Sequence, residues 1–355
     1  MKNLKALIKI ERTPVLLMGI YFLIINLLVS IGTHIFTSIE PILIFYIGGI
    51  LLLVYLQFKK DKSIEIGRFI KALPYTNGER AFVKIGMGLM SFTIPFLIYT
   101  VIVFCIRAYY TDLFGEIFRV TAYEEIGIYL NRISVYVGVL SVTYIRLLMI
   151  YLILITGEYL ISHNIGSLVI TVLSAMAPAY LWTSITYDLD RYIYKTEVYP
   201  IGEIPHGIGY YVLEITKWLS AVYTNYIDTW RGDIKISGSG YSVSYTITDK
   251  GTIVGLIYLL IAIVCSLVIV RQVKKQRIEN ADILLPAKVT RYIFIIGVAV
   301  CSGCLLRDLV KLGLNEVVIG YPRMILYVFL VIGLGVGAFV ASKIANIGYE
   351  QKREV

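Results

Sequence analysis

Long apolar runs alternate with short polar links along most of this chain. The runs fall at about 14–36, 41–57, 84–106, 136–156, 165–186, 251–270, 292–307 and 323–342. Most approach the roughly 20 residues that a helix needs to cross a hydrocarbon core of about 30 Å. Lipid offers no hydrogen bonds, so backbone groups crossing it must satisfy one another within the segment, which selects helices. The pattern predicts an all-α polytopic membrane protein with about eight transmembrane helices. Pro178 predicts a kink in the fifth. A polar turn at 156–164 is expected between the fourth and fifth.

Two links are more than connectors. Residues 58–84 form a basic island in which Lys59, Lys60, Lys62, Arg68, Lys71, Arg80 and Lys84 stand against Asp61, Glu65 and Glu79. Within it Ile66, Phe69, Ile70 and Leu73 recur at i, i+3, i+4 and i+7, the spacing of a short amphipathic helix. Pro74 ends that helix because it lacks an N–H and disfavours helical geometry in the preceding residue. Thr76 and Glu79 have capping-box spacing, so a new helix should begin at about Asn77. The other link, 187–250, is the longest. Tyr211, Ile215, Trp218, Leu219 and Val222 share a helical face suited to lying on a membrane surface. Strict alternation over 234–248, centred on Gly238-Ser239-Gly240, predicts a β-hairpin.

The expected organisation has three parts. Residues 1–186 carry five transmembrane helices and the short cytoplasmic helix at 61–75. Residues 187–250 form a small extracellular α+β insertion, an amphipathic helix plus a β-hairpin. Residues 251–355 carry the last three transmembrane helices and a cytoplasmic tail. In the last of these, Gly333, Gly337 and Ala341 have the small-xxx-small spacing that lets a neighbouring helix approach closely.

Composition agrees. Of 355 residues 58% are hydrophobic and only 16% charged, and the mean hydropathy is +0.77. The net charge of +9 does not point to nucleic acid. Most of the 33 basic residues sit in alternate links, as the positive-inside rule demands of a multi-pass protein of the cell membrane with both termini cytoplasmic. Contact with membrane lipid follows.

Candidate chemistry is sparse. No GxxxxGK[ST] phosphate cradle occurs, so the chain should not hydrolyse ATP itself. His34, His163 and His206 are scattered, and no HExxH is present. Cys301 and Cys304 have redox-motif spacing but lie in an apolar run, where a thiol behaves as a small hydrophobe. No catalytic residue, cofactor site or metal site is expected, and the chain is read as no enzyme. The spans read as nearly free of Asp and Glu, with Arg146 the one ionisable residue at membrane depth, which argues against a self-sufficient ion-coupled carrier. A transporter lacking an ATP site and a proton relay must draw its energy from a partner.

The stretch from Lys62 to Pro74, followed by Tyr75-Thr76-Asn77-Gly78-Glu79-Arg80 and Lys84, resembles the cytoplasmic link of type-2 ATP-binding cassette (ABC) exporter permeases. Gln276 to Ala281 is similar to a link in the bacterial eight-span branch. The resemblance implies a transport subunit that pairs with a second permease subunit, the same or homologous, and docks on separate ABC ATPase subunits. A coupling helix would run from about Ser63 to Leu73. Ser63, Ile66, Arg68, Phe69, Ile70, Lys71, Leu73 and Pro74 would meet the ATPase, with Arg277, Glu279 and Asn280 as a second cytoplasmic contact. The implied cargo is a peptide, a lipid-like molecule or another amphiphile. The alternative reading is a non-transport membrane sensor or scaffold whose extracellular insertion binds a ligand or partner.

Overall fold

The computed structural model describes residues 4–31, 40–62, 74–109, 133–161, 164–196, 233–237, 240–244, 249–275, 288–317 and 323–346. Among these are eight helices: α1 (Lys5–Ile31), α2 (Glu40–Lys59), α3 (Asn77–Tyr109), α4 (Ile133–Leu160), α5 (Asn164–Thr196), α6 (Asp249–Lys275), α7 (Lys288–Val317) and α8 (Arg323–Ala345). Two strands, β1 (Asp233–Ser237) and β2 (Gly240–Ser244), pair antiparallel from Asp233↔Ser244 to Ser237↔Gly240. The amphipathic helix expected within 207–230, the short helix from Ser63 to Leu73 and the link at 276–281 lie outside the described residues.

This is a helical protein with the features of a multi-pass membrane protein. Among the described residues five segments are long and apolar enough to cross a membrane: Asn77–Ile102, Leu140–Leu160, Val254–Lys274, Thr290–Lys311 and Met324–Ala345. Leu43–Lys59 and Ile165–Pro178 are shorter apolar helices. Large apolar side chains cover the outward faces, as with Leu16, Leu17, Ile20, Ile24 and Leu27 on α1. Such a surface suits lipid and would be unstable in water.

The chain divides into two compact units, one comprising residues 1–159 and 226–276, the other 160–225 and 277–355. In the first, α1 to α4 bury stripes at helical spacing. On α1 these are Leu7, Glu11, Val15, Met18, Phe22 and Asn26, and on α2 Tyr46, Ile50, Leu53, Val54 and Gln57. Aromatic rings fill the middle of the core: Phe22 stands 4.7 Å from Tyr46, Phe92 5.4 Å from Tyr151, and Phe96 5.6 Å from Tyr144. Asn26 satisfies its buried amide by donating to the Pro95 carbonyl (2.8 Å) and accepting from the Tyr46 hydroxyl (3.0 Å). Gly88 leaves room for the Tyr151 hydroxyl, since a Cβ there would collide with it.

In the second unit α7 and α8 pack almost backbone to backbone. A Cβ on Gly333 would lie 2.7 Å from the Ser302 carbonyl oxygen, and one on Gly337 3.0 Å from Ala299 Cα. Gly303 answers from the other side, 3.0 Å from the Leu330 carbonyl oxygen by the same construction. Ala341 is fully buried, whereas Gly335 faces open space. At one end of this unit Ile161 and Ala345 form a small core with Leu160, Ile170, Phe294 and Ile295.

Several boundaries differ from expectation. The first helix begins at Lys5, nine positions before Pro14, because Leu7 and Glu11 continue the buried stripe. The polar stretch expected as a turn from Thr156 is helical as far as Leu160. Thr156 returns its hydroxyl to the Leu152 carbonyl (2.7 Å), which spares the helix an unsatisfied polar group. The fifth helix continues past residue 186 to Thr196. At the start of α3 the capping box forms as read: the Glu79 N–H donates to Thr76 Oγ1 (3.2 Å) and the Thr76 N–H to Glu79 Oε2 (2.9 Å).

Candidate functional site

The buried stripes of α1, α2, α3 and α4 each reach one end of the first unit carrying a polar residue where an apolar one would continue the pattern. These residues are Glu11, Gln57, Lys84 and Glu158, all at most 8% exposed. Together with Asp61 and Lys62, in the turn after α2, they make a buried ionic cluster.

Lys84 is its centre. Its ammonium donates to Asp61 Oδ2 at 2.6 Å and to the Gln57 carbonyl at 2.7 Å, and pairs with Glu11 Oε1 at 3.1 Å. These contacts use its three N–H groups. The Gln57 side chain in turn donates to the Lys84 carbonyl at 2.8 Å, so the two residues lock α2 to α3 in both directions. The Phe58 ring lies 4.7 Å from the Lys84 ammonium, a favourable place for a cation, and stacks edge-on against Tyr159 of α4. Lys62 pairs directly with the fully buried Glu158.

Burial sets the protonation chemistry outside the spans. It pushes the Glu11 carboxyl above the ordinary value, with Lys84 opposing, and pulls the Lys62 ammonium down, with Glu158 opposing. Charges out of water are costly unless paired, and breaking one pair strands its partner. The arrangement therefore behaves as an anchor. Asp61 and Lys62, immediately before Ser63, are tied to α1, α3 and α4 at once.

Of the residues expected to meet an ATPase, Pro74 alone is described, and it is exposed just ahead of the α3 cap. Ser63, Ile66, Arg68, Phe69, Ile70, Lys71 and Leu73 lie outside the described residues, as do Arg277, Glu279 and Asn280. Gly333, Gly337 and Ala341 are brought together along the α7–α8 seam.

Two apolar segments extend beyond their expected ends and take in charged residues there. Glu158 falls in the Leu140–Leu160 segment, and Arg307, Asp308 and Lys311 in Thr290–Lys311. In the second unit Asp308 accepts from the Tyr180 hydroxyl (3.0 Å), the Ser184 hydroxyl (2.6 Å) and Arg307 Nη2 (2.9 Å), clamping α5 to α7. Arg307 also donates to the Ser184 carbonyl. The expected runs stop at about 156 and 307, which left Glu158, Asp308 and Lys311 in the polar links. The available signal was positional: Leu7, Glu11 and Val15 are four residues apart, as are Leu154 and Glu158, so each charge stands in an inward-facing position.

Among the described residues no group of His, Cys, Asp and Glu could hold a metal ion. The chain matches no protein-family model, no curated protein and no solved structure.

Proposed function

We propose that this chain is the membrane-spanning permease subunit of an ATP-driven exporter of the ABC type. It pairs with a second permease subunit and is powered by separate ATPase subunits that dock on the helix from Ser63 to Leu73. In this reading eight helices cross the cell membrane, both termini are cytoplasmic, and 187–250 lies outside. The cargo is a peptide, a lipid-like molecule or another amphiphile.

The observation that carries the reading is the anchoring of the basic island. A motor can move transmembrane helices only through a link that does not yield at its root. Here Asp61 bonds Lys84 of α3, Lys84 bonds Glu11 of α1, and Lys62 bonds Glu158 of α4. On the far side of the island, the capping box at Thr76 and Glu79 sets the start of α3. A push on the intervening helix is delivered to α1, α3 and α4 together. The face of Ile66, Phe69, Ile70 and Leu73 suits an apolar groove on the motor, with Arg68 and Lys71 meeting acidic residues at its rim.

The test is a mild-detergent pull-down of the tagged full chain with mass spectrometry of what accompanies it. A stoichiometric ATPase that is lost in Ile66→Asp supports the reading. A chain that purifies alone, even after crosslinking, overturns it and favours the sensor or scaffold.

A further inference from the structure

The anchor contains an imbalance that its role as a clamp does not require. Glu11, Asp61 and Glu158 supply three carboxyls, whereas Lys62 and Lys84 supply two ammonium groups. Lys62 pairs directly with Glu158, and Asp61 acts on it as well. Lys84 must serve both Asp61 and Glu11, and it serves them unequally, at 2.6 Å and 3.1 Å. Its remaining N–H goes to the Gln57 carbonyl. Glu11 is 8% exposed, and its second oxygen, Oε2, is buried with no hydrogen-bond partner among the described residues.

The groups that face Glu11 are few. Lys84 comes from α3, Asp61 and Lys60 from the turn after α2, and Tyr151 and Tyr159 from α4. Lys60 is exposed, so water screens it. Asp61 repels a negative Glu11. An unpaired ionised oxygen out of water costs far more than a neutral carboxyl in the same place. A neutral Glu11 can still accept from Lys84 through Oε1, which leaves the ammonium to Asp61 as a one-to-one ion pair.

We propose that Glu11 is a proton-binding site built into the anchor: its carboxyl holds the proton in the arrangement observed, and release of that proton loosens α1 from α3 and from the turn that begins the basic island. Loss of the proton places two carboxylates on one ammonium, and the weaker contact, that of Glu11, gives way. The anchor is then stiffest when protonated. The raised position of the Glu11 carboxyl is consistent with this. The inference concerns the anchor itself and stands whether or not a motor docks on the island.

The sign of the pH effect follows from linkage. A carboxyl that binds its proton more tightly when folded adds stability that is complete below its ordinary value and lost as pH rises through its raised value. Glu11→Gln mimics the protonated form and does not titrate. The experiment compares thermal unfolding of the full-length wild type, Glu11→Gln and Asp61→Asn in lipid nanodiscs, from about pH 5 to about pH 8. Glu11→Gln should melt at or above the wild type at the alkaline end, with the gap closing toward the acidic end. Asp61→Asn leaves Glu11 as the one carboxylate on Lys84, so the fall in melting temperature toward the alkaline end should shrink relative to the wild type. In parallel, infrared spectra of the wild type at neutral pH should show a protonated-carboxyl C=O band that Glu11→Gln removes. A Glu11→Gln chain that melts lower throughout, fails to fold, or differs from the wild type by the same amount at every pH would overturn the proposal, as would absence of the infrared band. Glu11 would then be an ordinary ionised partner of Lys84.

Discussion

The ammonium of Lys84 lies 2.6 Å from the carboxylate of Asp61, joining the third helix to the turn after the second. Lys84 is 4% exposed and lies over Phe58, so removing its charge strands the half-buried Asp61 carboxylate and takes the donor from the buried Glu11. Lys84→Ala should destabilise the first unit by about 3–5 kcal/mol, the range for breaking a buried ion pair from one side. Denaturation in detergent measures it.

Lys62 and Glu158 make the second tie, with Glu158 fully buried. After Glu158→Ala the Lys62 side chain, 12% exposed, can turn its ammonium toward water, whereas Lys62→Ala leaves a buried carboxylate. Lys62→Ala should therefore cost more than Glu158→Ala, by about 1–2 kcal/mol. The same unfolding assay ranks them, and equal costs would mean that Glu158 finds another donor.

Gly88 and Tyr151 are coupled by space. A Cβ on Gly88 would overlap the Tyr151 hydroxyl and lie 2.8 Å from Gln57 Oε1. Gly88→Ala should cost about 1–3 kcal/mol by overpacking. Adding Tyr151→Phe should recover part of that loss, a non-additivity that a double-mutant cycle reads directly.

Along the α7–α8 seam neighbouring glycines should behave oppositely. Gly333→Ala and Gly337→Ala force the helices apart, because the new methyl meets Ser302, Gly303 and Ala299. Gly335→Ala meets nothing within 4 Å, and it should stabilise by a few tenths to about 1 kcal/mol through reduced chain entropy. Cysteine crosslinking between α7 and α8 should weaken in the first two variants and persist in the third.

The Asp308 clamp gives a further contrast. Asp308→Ala removes the shared acceptor of Tyr180, Ser184 and Arg307 and should cost about 2–3 kcal/mol. Tyr180→Phe removes one donor from a carboxylate that keeps two others, at about 1 kcal/mol. Equal effects would assign the clamp to the tyrosine alone.

Much of the helical scaffold was legible in the chain itself, because apolar runs of spanning length leave the backbone no alternative to helix in lipid. The start of α3 was equally legible: Thr76 and Glu79 act through contacts three residues apart, which the sequence displays directly. The Gly333–Gly337 spacing likewise announced a close helix contact, although the sequence could not say that its partner is α7. Tertiary structure alone decided the ionic anchor. Glu11, Asp61, Lys84 and Glu158 are separated by tens of residues along the chain, and their charges in isolation read as ordinary helix ends. Periodicity can place a charge on an inward stripe, but it cannot tell which charge from another helix will meet it. That depends on how far each helix slides and turns against its neighbours, which the packing of Phe22, Tyr46, Phe92 and Tyr151 determines.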